Sequence, residues 1–170
     1  MAIFVALLRA VNVGGTGMLP MKELSALCIK LGFKKVRTYI QSGNVVLESS
    51  LPEENVRAGL ERVLTKRMGK KVDVMVRSAS ELRSILEANP FADAEPAKVA
   101  VVFLSHPAPK GMLDNLAAPG GEEVRLANRE IYIHYPNGMG RSKLKLPSTC
   151  GAATARNINT VTKLVALTTA

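Results

Sequence analysis

The chain opens on an unbroken apolar run, Ala2-Ile3-Phe4-Val5-Ala6-Leu7-Leu8, which gives way after Arg9 to a loop holding Gly14, Gly15 and Gly17. A strand that is apolar on both faces belongs in the middle of a sheet, covered above and below. The residues that follow define the kind of sheet. Pro20 can open a helix whose apolar face is Met21, Leu24, Leu27, Cys28 and Leu31, with Gly32 as its stop. Val36 to Gln41 and Asn44 to Glu48 read as short strands joined at Ser42-Gly43, a hairpin signal. Pro52 opens a second helix through Val56, Leu60, Val63, Leu64 and Met68, closed by Gly69 before a strand at Val72 to Val76. The resulting β-α-β-β-α-β order, over residues 1–77, is that of a ferredoxin-like unit.

Residues 78–170 read as a bridging helix and a second α+β unit. Ser78 and Glu81 form a capping box for a helix through Leu82, Ile85 and Leu86, which Asn89-Pro90 ends. A strand at Val99 to Leu104 comes next, then a short helix after Pro109 bearing Met112, Leu113 and Leu116, and a strand pair turning at Asn128-Arg129. The final helix uses Ile158, Val161, Leu164 and Val165. The expected fold class is therefore α+β, with a second, incomplete ferredoxin-like unit of order β-α-β-β-α. No residue-level similarity between the halves accompanies this order.

Composition limits the function classes. With 47% hydrophobic residues in 170, the chain has ample material for a core. Its net charge of +9 favours phosphates or acidic partners. Much of the excess lies in Lys34-Lys35-Val36-Arg37 and Lys66-Arg67-Met68-Gly69-Lys70-Lys71, positions that also suit cations at helix ends. Two cysteines, Cys28 and Cys150, make no disulfide framework and point to a reducing, cytoplasmic setting. The apolar start lacks a basic n-region and is too short for a membrane span, so no membrane association is expected. No metal-ligand spacing of His, Cys or carboxylates occurs. Cofactor motifs fail as well: a dinucleotide fingerprint after Gly15 and Gly17 would need glycine where Pro20 stands, and no Gly-Lys-Ser/Thr ends the loop. The cofactor is left unassigned, and the residues specify no reaction.

The places where chemistry can reside are polar loops. Tyr135-Pro136-Asn137-Gly138-Met139-Gly140-Arg141-Ser142-Lys143-Leu144-Lys145 combines glycines, cations and small polar side chains, and no acidic residue follows Glu130. Backbone N–H groups freed by glycine, together with unopposed cations, suit a bound anion. The loop after the first strand, with Arg9, Asn12, Gly14 and Gly15, is a second anion nest or a structural turn. Ser42 and Asn44 at the hairpin tip are a third element, with an ordinary β-turn as the alternative. On the last helix, Arg156, Thr160 and Lys163 fall at i, i+4 and i+7 and line one polar stripe, with Asn157 beside them. Arg156 in a first turn opposes the dipole at a cost of about 0.3–1 kcal/mol, which favours an anion nearby. The expected ligand-binding set is Arg9, Asn12, Gly14, Gly15, Ser42, Asn44, Arg141, Lys143, Arg156 and Asn157. A Cys150 thiolate served by His134 is a separate catalytic alternative.

The guest such a set implies is a phosphorylated small molecule or another anion. A nucleic-acid backbone is the competing partner, and an enzyme of unidentified reaction a third possibility. The β-α-β-β-α-β order is shared with RNA-recognition domains, which stack bases on aromatics of their third and first strands. Here the third strand, Asn44-Val45-Val46-Leu47-Glu48, has no aromatic and the first has only Phe4. Base stacking on this sheet is thus not expected.

Taken together, Arg9-Ala10-Val11-Asn12-Val13-Gly14-Gly15, Thr38-Tyr39-Ile40-Gln41-Ser42-Gly43-Asn44-Val45, Asn89-Pro90-Phe91, Tyr135-Pro136-Asn137-Gly138 and Ala155-Arg156-Asn157 resemble a bacterial domain-of-unknown-function family, the one numbered 1697. The resemblance spans nearly the whole chain and implies an α+β fold of ferredoxin-like subdomains. It implies no activity and carries over no catalytic residue. Similar family members often have lysine where this chain has Met18, a departure that weakens the case for phosphate at the first loop.

Overall fold

The computed structural model describes residues 1–9, 18–40 and 43–169. Within them the fold is α+β, with two four-stranded antiparallel sheets and four α-helices. The chain divides into two compact units, residues 1–83 with the C-terminal residues from Lys163, and residues 84–162.

In the first unit β1 (Ala2–Leu8), α1 (Met21–Lys30), β2 (Lys34–Thr38), β3 (Asn44–Ser49), α2 (Glu53–Met68) and β4 (Val74–Ser78) follow in the order that the hydrophobic periods predict. The sheet runs β2-β3-β1-β4, every neighbour antiparallel. Side chains alternate across a strand. Phe4, Ala6 and Leu8 join the core built with Leu24 and Cys28 of α1 and Val56, Leu60 and Leu64 of α2. Val5 and Leu7, on the opposite face of β1, are also fully buried, which is why the run carries no polar alternation.

The helix ends obey their sequence signals. After α1, the Phe33 N–H donates to the Cys28 carbonyl and the Gly32 N–H to the Ile29 carbonyl, a Schellman closure that uses Gly32 at φ 90°. Gly69 ends α2 in the same left-handed region, at φ 71°. The hairpin differs from expectation. Strand β2 ends at Thr38 rather than Gln41, because Ile40 takes φ 48° and the chain leaves the ladder. The Tyr39 N–H and the Asn44 carbonyl, 3.0 Å apart, then close a longer loop.

From β4 the chain enters α3 (Ala79–Glu87), where the Ser78 hydroxyl caps the Glu81 N–H at 3.1 Å as its spacing predicts. The second sheet comprises β5 (Val99–Leu104), β6 (Glu123–Leu126), β7 (Glu130–His134) and β8 (Ala153–Asn157), in the order β6-β7-β5-β8. Helix α4 (Ile158–Leu167) completes the chain. Tyr132 of β7 donates its hydroxyl to the Ile85 carbonyl of α3 at 2.6 Å.

Two expectations fail here. No helix forms after Pro109, because Gly111 and Asn115 both adopt positive φ, 78° and 65°, and the segment folds into successive turns that still bury Met112. The element missing from the expected second unit is β8. Its residues, Ala153-Thr154-Ala155-Arg156-Asn157, include only one β-branched side chain and so lack strand character. Consequently Arg156 is not on the last helix: it lies on β8, before the helix begins, and is 7% exposed rather than part of a solvated stripe.

With β8 in place the units share a pattern that residue-by-residue reading misses. In each sheet the last strand lies beside the first and its penultimate residue is a buried arginine, Arg77 opposite Val5 and Arg156 opposite Val101. In each, the next residue caps the helix that follows. Ser78 does so for α3, and the Asn157 side-chain oxygen accepts the Thr160 N–H at 2.9 Å for α4.

Candidate functional site

The Tyr135–Lys145 run is organised by a carboxylate from outside it. Tyr135 is buried in the second unit's core, and the Gly138 N–H donates to its carbonyl at 2.9 Å, turning the chain with Gly138 at φ 87°. Glu122, a residue 7% exposed, sends its carboxylate into this turn. It accepts the Gly120 N–H at 2.7 Å on one oxygen and the Ser142 hydroxyl at 2.7 Å on the other. Ser142 Oγ in turn accepts the Leu144 N–H at 3.1 Å, and Asn137 Nδ2 donates to the Gly120 carbonyl at 3.2 Å. The Ser142 hydrogen bond, chiefly, holds the Glu122 carboxyl below its ordinary range, with backbone N–H groups helping and burial opposing. The cavity left among Glu122, Asn137, Arg141 and Ser142 is about 30 Å³, the room one water takes.

Beyond the turn the side chains alternate. Ser142, Leu144 and Leu146 are half-buried, the two leucines against the core, while Arg141, Lys143 and Lys145 are exposed. Among the described residues these three cations make no ion pair.

The other residues expected to bind have more local employment. Arg9 is exposed and pairs with Asp73 at 3.4 Å. Asn44 is fully buried and its Nδ2 donates to the Tyr39 carbonyl at 2.9 Å, holding the hairpin loop together. Arg156 donates from Nη1 to Thr154 Oγ1 at 2.7 Å and to the Ala155 carbonyl at 2.9 Å. Burial pulls its pKa down to about 10, still far above neutrality. Asn157 is the cap of α4. Asn12, Gly14, Gly15 and Ser42 lie outside the described residues.

Arg77, 1% exposed, is, like Glu122 and Glu130, a buried charged residue that the sequence does not single out. The available signal was its place two residues before a capping-box helix start, which Arg156 shares relative to the Asn157 cap. The Cys150–His134 pairing is not formed. The Cys150 thiol donates to the Pro147 carbonyl, and burial raises its pKa. His134 instead stacks near Phe91, ring centres 5.7 Å apart, with Nδ1 3.7 Å from Glu123. Cys28 is a core thiol that burial pushes up to about 12. Among the described residues no group of three or more His, Cys, Asp or Glu is placed to hold a metal ion. No helix among them is long and apolar enough to cross a membrane.

A family model described as a protein of unknown function (DUF1697) matches residues 1–132. The chain belongs to the DUF1697 family. The part matched to DUF1697 contains Arg9, Asn44, Arg77 and Glu122, and stops before Arg141, Lys143 and Lys145. The fold is similar to that of a conserved bacterial protein, SP0830 from Streptococcus pneumoniae, with a TM-score of 0.78, 22% identity and 98% of each chain covered. No protein with a curated description matches.

Proposed function

We propose that this DUF1697 protein binds a phosphate-bearing polyanion along Arg141, Lys143 and Lys145, and that a nucleic-acid strand is the class of guest. One observation carries the reading: cations at alternate positions face solvent while Leu144 and Leu146 fasten the segment to the core. In extended chain, positions two apart lie about 6–7 Å from one another, comparable to successive phosphates along a strand. A phosphorylated small molecule enclosed by the same turn is the weaker reading, because Glu122 already uses its donors.

Recognition is of backbone rather than bases on this reading. Phe4, the one aromatic of the first strand, packs into the core of its unit, and β3 has none. We read the β2-β3-β1-β4 order as the ferredoxin-like arrangement, here used without stacking aromatics.

Fluorescence anisotropy with labelled single-stranded oligonucleotides of differing sequence tests the proposal. Sequence-indifferent binding at low salt is expected, lost on Arg141→Gln, Lys143→Gln and Lys145→Gln together. Oligonucleotide affinity untouched by the triple change would sink it. Thermal stabilisation by millimolar inorganic phosphate or nucleotide, insensitive to that change, would favour the small-molecule reading.

A further inference from the structure

Helices α1 and α2 pack side by side on one face of the first sheet, their inner faces forming its core. Between their outer shoulders runs a groove of about 600 Å³ floored by Leu27, Leu31 and Val63. A second hollow of about 480 Å³ shares Leu31 and Arg62 with it and continues past Phe33 and Gly59. The first hollow is apolar underfoot, while the second sets Leu31, Phe33 and Leu51 beside Glu54, Asn55 and Arg62. The rim of the first is basic. Arg67 is engaged by Glu23, but Lys30, Arg62 and Lys66 are exposed and make no ion pair among the described residues.

Gly59 adds an independent observation. It lies inside α2 with no positive φ, and a Cβ built there would meet only Leu31 Cδ2, at an ordinary 3.9 Å. Neither backbone conformation nor close packing requires glycine, yet glycine inside a helix costs about 0.5–1 kcal/mol relative to alanine. Its effect is to leave room in the second hollow beside Leu31, which both hollows share.

We propose that this groove docks an acidic amphipathic helix of a partner protein. Apolar anchors at i, i+3, i+4 and i+7 would lie on Leu27, Leu31 and Val63, with flanking carboxylates reaching Lys30, Arg62 and Lys66. The 16 residues of α2 run for about 24 Å, the length of between four and five turns of such a helix. A second copy of this chain is a poorer occupant. It carries the same excess of +9, and the α2 carboxylates Glu54 and Glu61 are held by Arg57.

The test uses a synthetic helix of about 15 residues, leucine at the anchor positions and glutamate beside them, titrated into the full chain with amide shifts recorded. Saturable binding is expected, with shifts centred on Leu27, Leu31, Gly59 and Val63. Arg62→Glu with Lys66→Glu, both exposed and unpaired, should weaken it at least tenfold at unchanged melting temperature. The same peptide with lysine for glutamate should not bind, and a single-stranded oligonucleotide should not displace it. Absence of binding at millimolar peptide overturns the proposal, as does binding that the double reversal leaves intact. Shifts at the same residues from phosphatidylserine vesicles or oligonucleotide, but not from the peptide, also overturn it in favour of those anions.

Discussion

At the scale of single residues, charge placement separates structure from surface. Glu122 is a structural anion: its carboxylate accepts from Gly120 and Ser142, and its pKa is lowered from an ordinary 4.5. A depressed carboxylate stabilises the fold above its unfolded pKa, and that stability is lost as pH falls through the folded value. Glu122→Gln should therefore lower the melting temperature at neutral pH. The gap from the parent should close as pH is taken below the carboxylate range, a trend that thermal melts at several pH values would read. Gly59 predicts the opposite sign. Gly59→Ala should raise unfolding free energy by about 0.5–1 kcal/mol in urea titrations, since only an ordinary contact with Leu31 awaits the new methyl.

Elements stand or fall by their boundaries. The caps Ser78 and Asn157 each accept one N–H of a following helix, so Ser78→Ala and Asn157→Ala should each cost about 1 kcal/mol by urea denaturation. A cost near zero at Asn157 would mean that α4 does not depend on this start. Beside the cap, Arg156 uses the Thr154 hydroxyl as an acceptor within β8. The isosteric Thr154→Val change keeps strand shape and removes that acceptor from a buried charge, which should cost about 1.5–3 kcal/mol in the same measurement. Strand β1 was legible because both of its faces are buried, leaving a continuous apolar run. Strand β8 was not, because small side chains and an arginine leave no period, and the cap at Asn157 was the one cue that the helix begins after Arg156. The turns after Pro109 escaped for a related reason: Met112, Leu113 and Leu116 have helical spacing, whereas the positive φ of Gly111 and Asn115 breaks the ladder.

For the whole molecule, an excess of +9 makes association with polyanions steeply dependent on ionic strength. If three phosphates are engaged by Arg141, Lys143 and Lys145, log affinity for a single strand should fall against log salt with a slope of about −2. A flat salt response would count against the strip as the binding surface. The amino-acid order by itself determined the α+β class, the β-α-β-β-α-β order of the first unit and the ends of α1, α2 and α3, because periodicity and caps act over a few neighbouring residues. Tertiary structure decided how the charges are used. Glu122 fills the turn that composition marked as an anion nest, since a carboxylate 20 residues from its Ser142 partner is brought there only by the fold. Arg77 and Arg156, both buried, come to lie opposite Val5 and Val101 of the neighbouring strands. Strand neighbours are chosen by long-range pairing, which local pattern does not encode.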